Sequence, residues 1–212
     1  MAYDLEEQEK LDAIKAWWAR YGTLLLTLAT AVLLAWGGWW GWKAYESHQA
    51  NQAMGYFEAL EDAARLGGAD SSVRIKTAAS TLREKYPNTG YAARGALVAA
   101  QALQAQKDDA GAREQLEWLA GQNKNPSMQA VARLRLAGMM LDQKQYDAAL
   151  AQLNNPPAAI AALFADRRGD VLAAQGKREE ARAAWQSAID GLGAANPLTQ
   201  VVQLKLDALS GA

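Results

Sequence analysis

The run YGTLLLTLATAVLLAWGGWWGW occupies residues 21–42 and contains no charged side chain. Arg20 precedes it and Lys43 follows it. As a helix rising about 1.5 Å per residue, the run would be about 33 Å long, enough to cross a hydrocarbon core about 30 Å thick. Six of the eight tryptophans lie near its two ends, where amphipathic rings favour the lipid headgroup region. The sequence therefore predicts a single transmembrane helix over residues 21–42.

Two alternatives fit this run less well than a transmembrane helix does: a buried hydrophobic hairpin and a cleavable signal peptide. A buried hydrophobic hairpin of this length would carry more polar residues than a few threonines and glycines. A cleavable signal peptide has an apolar region of about 7–15 residues, followed by a cleavage site of small residues. This run begins after twenty residues and ends in tryptophan, so we expect it to stay in the protein.

The basic residues around the run predict its orientation. Lys10, Lys15 and Arg20 precede it, whereas Lys43 is the one lysine or arginine in the twenty positions after it. Positively charged flanks stay in the cytoplasm, and nearby acidic residues contribute little to this rule. We therefore expect residues 1–20 to form a cytoplasmic amphipathic segment and the rest of the chain to lie outside. In a bacterium this describes a single-pass inner-membrane protein with a periplasmic domain.

Composition and motifs argue against several classes of function. The formal net charge of −1 provides no field for binding nucleic acid. Zero cysteines and one histidine, His48, cannot build a typical zinc site or a Cys-His pair. No G-x-S-x-G, Walker or Rossmann glycine pattern is present. The sequence predicts neither an enzyme nor a cofactor, metal or small-molecule site.

The second half of the chain carries a repeated pattern. A small residue is followed twelve positions later by an alanine, and four positions further by a large apolar residue. The pattern occurs three times, at offsets of 37 and 32 residues that bracket the repeat length of about 34 residues in tetratricopeptide proteins. The matching residues are Ala100, Ala112 and Leu116; Ala137, Ala149 and Leu153; and Gly169, Ala181 and Trp185. A generic helical bundle would match once by chance, and three tandem matches favour a repeat.

These patterns predict an all-α protein with one N-terminal transmembrane helix and a tetratricopeptide-like α-solenoid. No stretch alternates apolar and polar residues as a half-buried strand would. We expect membrane-proximal helices over residues 43–88 and the repeat domain over residues 89–212. A final helix, roughly Leu198 to Leu209, is expected to seal the open end of the solenoid.

The repeat register also predicts candidate binding residues. In such repeats the first helix of each pair lines a groove that suits an extended peptide or a partner helix. This register places on the groove Leu97, Gln101, Gln104, Leu134, Leu141, Asp142, Asp166 and Asp170. The helix after the membrane or the C-terminal helix could instead cover several of them. Within the span, small residues at four-residue spacing predict packing against another transmembrane helix, at Thr27, Ala31, Ala35, Gly37 and Gly41.

Several motifs along the chain resemble those of a known family. They are DLEEQEKL at residues 4–11, IKAWW at residues 14–18, Tyr21-Gly22 opening the span, and LREKYPNT at residues 82–89, followed by the repeats. Together they resemble the YfgM family, an ancillary periplasmic subunit associated with the bacterial Sec translocon. The resemblance covers essentially the full length. It implies a protein beside the SecYEG channel that pairs with a membrane-anchored periplasmic chaperone similar to PpiD.

The resemblance implies a role in handing over newly translocated proteins and supplies no catalytic residues. An alternative is a structural scaffold for another envelope machine, such as a cell-division or secretion complex. An enzyme is the third possibility, which the missing catalytic motifs disfavour. Crosslinking in intact membranes would separate the first two, because each predicts different neighbours.

Overall fold

The structure is a computed structural model that describes residues 2–68, 70–122 and 124–210. All regular structure in these residues is helical, which confirms the all-α prediction. Contacts divide the chain into two compact units, residues 1–49 and 50–212. The α-helices are α1 (Ala2–Leu66), α2 (Ser71–Lys85), α3 (Gly90–Ala105), α4 (Asp109–Ala120), α5 (Pro126–Asp142), α6 (Tyr146–Gln152), α7 (Ala161–Ala174), α8 (Arg178–Leu192) and α9 (Pro197–Ser210), and a 3₁₀ helix spans Ala158–Ile160.

The first unit consists of the N-terminal part of α1. By length and composition this helix is able to cross a membrane, and its large apolar side chains are exposed, Leu34 by 72%. The hydroxyls of Thr27 and Thr30 donate hydrogen bonds to the carbonyls of Leu24 and Leu26, at 2.9 and 2.8 Å. Lipid offers polar groups no partner, so these internal hydrogen bonds suit a helix surrounded by hydrocarbon.

The second unit is a stack of helix pairs. Helices α3 and α4, α5 and α6, and α7 and α8 pack as three successive pairs joined by short turns. Residues 50–66 of α1 form an earlier pair with α2, where Tyr56 lies 5.7 Å from the ring of Tyr86. One apolar cluster joins this pair to α3, α4 and α5, and two further clusters continue the core through α9.

The predicted repeat register is confirmed by burial. All nine residues of the repeated pattern are buried. The small residues allow close helix contact, most clearly at Gly169, where an added Cβ would lie 2.4 Å from the Trp185 ring. Trp185 itself is 5% exposed and fills the space between α7 and α8. The spacing in the sequence therefore identifies the positions at which paired helices pack closely.

The turn within each pair has the same backbone form. Its central residue is left-handed in all three turns, with φ of 63° at Lys107, 59° at Lys144 and 79° at Gly176. The next residue donates its N–H to a carbonyl five residues earlier, over 2.9, 2.7 and 2.9 Å. This is the geometry of a helix ending in a Schellman motif, in which glycine is favoured at the left-handed position. Lysine occupies that position in two of the three turns.

We expect Lys107→Gly and Lys144→Gly each to raise the free energy of unfolding by about 0.5 to 1 kcal/mol, since glycine enters the left-handed region without a Cβ clash. Gly176→Lys should lower it by about the same amount. Among the described residues nothing lies within 4 Å of a Cβ built at Gly176, so that cost would be conformational alone. Urea unfolding of the three variants would measure the changes. A shift of the same sign in all three would contradict the assignment.

Two arginines hold the end of the seven-residue helix α6. Arg133 of α5 donates to the carbonyl of Gln152 at 2.9 Å and also to that of Asn154. Arg168 of α7 donates to the carbonyl of Leu153 at 3.0 Å. These guanidinium groups satisfy C-terminal carbonyls that no further turn of α6 would reach. They tie the connector at residues 153–157 to both neighbouring pairs.

Candidate interaction surface

The first helices of successive pairs form one continuous face, which we call the first-helix wall. It comprises residues 50–66 of α1 together with α3, α5 and α7. Phe57 and Tyr91 join α1 to α3, with ring centroids 5.6 Å apart. Arg135 of α5 donates to the carbonyl of Leu97 in α3 at 3.2 Å. Side-chain contacts of this kind connect each first helix to the preceding one, so neighbouring helices of the wall are in direct contact.

The candidate binding residues on α3 and α5 occupy two different environments. Gln101, Gln104 and Asp142 lie at the surface, and all three are exposed. Leu97, Leu134 and Leu141 are half-buried and pack against the core clusters. The three polar residues are therefore accessible to a partner, and the three leucines mainly support the helices that carry them.

The two candidate residues on α7 are bound within the chain. Lys205 of α9 places its Nζ atom 2.7 Å from Asp166 Oδ1 and 2.8 Å from Asp170 Oδ1. Trp185 donates from Nε1 to Asp170 at 3.3 Å. Burial lowers the pKa of Lys205, but the hydrogen bonds to both aspartates outweigh it and raise that pKa above its ordinary value. The C-terminal helix therefore covers this end of the wall.

The other end of the wall carries a feature that the sequence pattern missed. An open depression of about 690 Å³ lies between α1 and α3, lined by Glu58, Glu61, Asp62, Ala64, Arg65 and Val98. Arg65 pairs with Asp62 at 2.6 Å, which leaves the two glutamates to give the depression an acidic character. The apolar spacing of Ala53, Phe57, Leu60 and Ala64 signalled this helix. The repeat alignment began at residue 89 and so did not connect it to the wall.

The perturbed carboxylate of this unit has a structural role. In the described part of the chain, no group of three or more His, Cys, Asp or Glu residues could hold a metal ion. Hydrogen bonds from Lys76 and from the backbone N–H of Gly111 lower the pKa of Asp108. That aspartate caps the N-terminus of α4, so its perturbation has a structural cause.

The candidate packing residues of the apolar helix are accessible. Thr27, Ala31, Ala35, Gly37 and Gly41 are all exposed. A Cβ built at Gly37 or Gly41 meets nothing within 4 Å among the described residues. Close packing of a second helix along this line stays a prediction, because small residues are common in membrane spans.

Comparisons with known proteins agree with this architecture. The family model for a tetratricopeptide repeat-like domain matches residues 15–211. The ancillary SecYEG translocon subunit of Neisseria gonorrhoeae is 34% identical over 211 residues, which cover 99% of this chain and 100% of that protein. Proteins of the same name from Escherichia coli and Aggregatibacter actinomycetemcomitans are 30% and 28% identical over 205 and 214 residues. These alignments cover 96% and 99% of this chain, and 97% and 100% of those proteins.

No solved structure shows a significant match. The three curated matches extend over the apolar helix as well as the helix pairs, and the family model covers nearly the whole chain. The chain therefore belongs to the YfgM family of ancillary SecYEG translocon subunits, with a tetratricopeptide repeat-like domain.

Proposed function

We propose that this chain is an ancillary subunit of the SecYEG translocon, anchored in the bacterial inner membrane and acting by binding rather than catalysis. The observation that carries the proposal is the relation to three proteins of that name over 96–99% of the chain. The alignments include both the apolar helix and the helix pairs. The similarity to those proteins therefore covers the proposed anchor and the helical domain together.

The proposed topology places residues 1–20 in the cytoplasm, residues 21–42 in the membrane and residues 43–212 in the periplasm. The excess of basic residues before the span supports this orientation. Both ends of the span carry cation–aromatic contacts. Arg20 lies 6.0 Å from the Tyr21 ring and Lys43 lies 5.2 Å from the Trp39 ring. Such contacts suit the headgroup layer, where a cation remains hydrated while the ring covers apolar surface.

The proposed partner is a membrane-anchored periplasmic chaperone of the PpiD kind, with which the chain would hand over translocated proteins. Two surfaces support a protein partner. The wall is open at α1, α3 and α5, where Gln101, Gln104 and Asp142 are accessible on the same wall as the acidic depression. The line of small residues in the span has room for a partner's transmembrane helix. Contacts at both places would add through the shared anchor.

Separating the domain from its anchor tests this proposal. We expect a version beginning at Lys43, exported freely to the periplasm, to fold because residues 50–212 have their own core. It should lose stable association with the channel, because the anchor keeps the domain at high local concentration and makes weak contacts sufficient. Copurification of the channel from detergent-solubilised membranes would measure the loss against the full chain.

An unrelated span in place of residues 21–42 is the matched control. It should restore association fully if the span is an anchor alone, and partly if the small residues also contribute packing. Protease added to intact spheroplasts should digest the domain of each anchored version, as a periplasmic location requires. Full association of the untethered domain, or protection of the anchored one, would contradict the proposal.

A further inference from the structure

Cations on successive helices reach back to the first helix of the preceding pair. Lys205 of α9 contacts Asp166 and Asp170 of α7, with Nζ–Oδ1 distances of 2.7 and 2.8 Å. Arg135 of α5 donates from Nη1 to the carbonyl of Leu97 in α3 at 3.2 Å. The lysine thus finds two carboxylates on the helix that it reaches, whereas the arginine finds a backbone carbonyl.

Arg167 of α7 makes the corresponding approach to α5. A Cβ built at Gly138 would lie 3.7 Å from Cζ of its guanidinium group. The offsets of 37 and 32 residues between repeats make the positions that receive these cations equivalent in register. The first receiving position holds Leu97, Leu134 and Asp166, and the position four residues later holds Gln101, Gly138 and Asp170. Carboxylates therefore occupy both positions in α7 and neither position in α3 or α5.

The guanidinium groups of Arg135 and Arg167 have unused hydrogen-bonding capacity. A guanidinium group carries five N–H donors. Within the described residues, Arg135 donates to the Leu97 carbonyl alone, and Arg167 makes one ion pair, at 3.5 Å with Asp170 of its own helix. That carboxylate already accepts a shorter hydrogen bond from Lys205. Most donors of both arginines are therefore available to another acceptor.

Both arginines lie on the accessible side of the first-helix wall. By the same offsets they correspond to Val98 of α3, which lines the open depression. Arg135 is exposed, and the side chain of Arg167 is 38% exposed, with its guanidinium group against α5. Asp142, the exposed carboxylate of α5, is two helical turns from Arg135, about 10 Å along the helix. The two guanidinium groups are therefore open to an incoming carboxylate.

We propose that Arg135 and Arg167 together bind carboxylates of an acidic segment in a partner polypeptide, which lies across α5 and α7. The contact of Lys205 with Asp166 and Asp170 is the precedent within this chain. There the preceding helix supplies the carboxylates, and at the two earlier places the partner would supply them. Guanidinium groups bind carboxylates through paired, charge-assisted hydrogen bonds, which favours acidic side chains over neutral ones.

The spacing and charge of the wall limit what this segment can be. Packed helices have axes about 8–10 Å apart, so equivalent side chains of α5 and α7 are separated by roughly that distance. An extended chain covers the same distance in about three residues. At the other end of the wall, Glu58 and Glu61 line the depression and would repel an acidic segment. Taking the wall as the face that receives a polypeptide is the one step that rests on the proposed function.

Peptide binding to the purified full-length chain tests the proposal. The probe is a fluorescein-labelled peptide of about twelve residues, long enough to cross both helices, with glutamate at every third position and alanine or serine elsewhere. The control peptide has glutamine in place of each glutamate. Fluorescence anisotropy in an uncharged detergent at low salt would measure both affinities. We expect the glutamate peptide to bind at least about fivefold more tightly.

Variants assign this preference to the two arginines. Arg135→Gln and Arg167→Gln should each weaken binding of the glutamate peptide by about fivefold, and the double variant should bind both peptides equally. Arg178→Gln is the matched control and should change neither affinity, because Arg178 is an exposed arginine at the start of α8 and lies off the wall. Thermal unfolding should be unchanged in all of these variants, since none of the three side chains is buried.

A preference for the glutamate peptide that is lost when the wall arginines are replaced supports the proposal. Equal binding of the two peptides, or no binding of either, would overturn it. An equal loss in Arg178→Gln would overturn it as well, and a loss in one wall variant alone would exclude a joint site. The assay contains no channel, whereas copurification measures association with the translocon. Failure of the acidic-segment site is therefore distinguishable from failure of the proposed function.

Discussion

Gly169→Ala should lower the free energy of unfolding by about 1 to 3 kcal/mol, the usual cost of overpacking. This corresponds to a fall of roughly 2 to 10 °C in the unfolding midpoint for a domain of this size. The added methyl group would lie 2.4 Å from Cδ1 and Nε1 of Trp185, well inside van der Waals contact. The ring has little freedom to retreat, because it is buried and its Nε1 donates to Asp170. Thermal unfolding of residues 50–212, followed by circular dichroism, would measure the change.

Gly138→Ala is the matched control, since both glycines lie inside helices. A Cβ at Gly138 would lie 3.7 Å from the Arg167 guanidinium, an ordinary contact. Alanine stabilises a helix interior by about 0.5 to 1 kcal/mol relative to glycine, so this variant should be neutral or slightly more stable. Coincident melting curves for the two variants would show that the close approach of α7 and α8 is not needed for stability.

Lys205→Met should destabilise the same unit by about 1 to 3 kcal/mol at neutral pH, because two half-buried carboxylates lose their shared partner. The side chains of Asp166 and Asp170 are 25% and 16% exposed, so water replaces the lysine incompletely. Methionine preserves much of the apolar length, so the loss would come from the charge and its hydrogen bonds. Urea unfolding would measure the difference from the unaltered chain.

The pH dependence of this difference is a separate test. The pKa of Lys205 is raised above its ordinary value of 10.5 in the folded chain. The stabilisation is therefore fully present below 10.5 and is lost as the pH rises through the folded-state pKa. The gap between the unaltered chain and Lys205→Met should stay constant at neutral and mildly alkaline pH, then narrow. Lys205→Arg, which stays charged, should retain its stability further into alkali. A gap that is the same at every pH would exclude the ion pair as its origin.

The two ends of the first-helix wall differ in accessibility. At α7, Asp166 and Asp170 are bound by Lys205 of α9. At α1 and α3, the acidic depression and the exposed amides of α3 are proposed to meet the translocon or its chaperone.

The sequence by itself determined the apolar helix of membrane-spanning length and the register of the helix pairs. Both follow from local rules. The number of consecutive uncharged residues sets whether a helix is long enough to cross a membrane, and small residues at fixed spacing mark the positions where two helices cross. The burial of Ala100, Ala137 and Gly169 follows from this spacing. The final helix was also predicted within one residue at each end, because Asn196-Pro197 signals its start.

The tertiary structure alone decided which of the predicted wall residues are accessible. Lys205 binds Asp166 and Asp170 across 39 and 35 positions of sequence, and no periodic pattern encodes which distant side chain reaches a carboxylate. The place of residues 50–66 in the wall also depends on residues far apart in sequence, because Phe57 lies beside Tyr91 and Gly95 of α3. Periodicity shows that a helix has an apolar face. Only packing shows whether another helix covers that face.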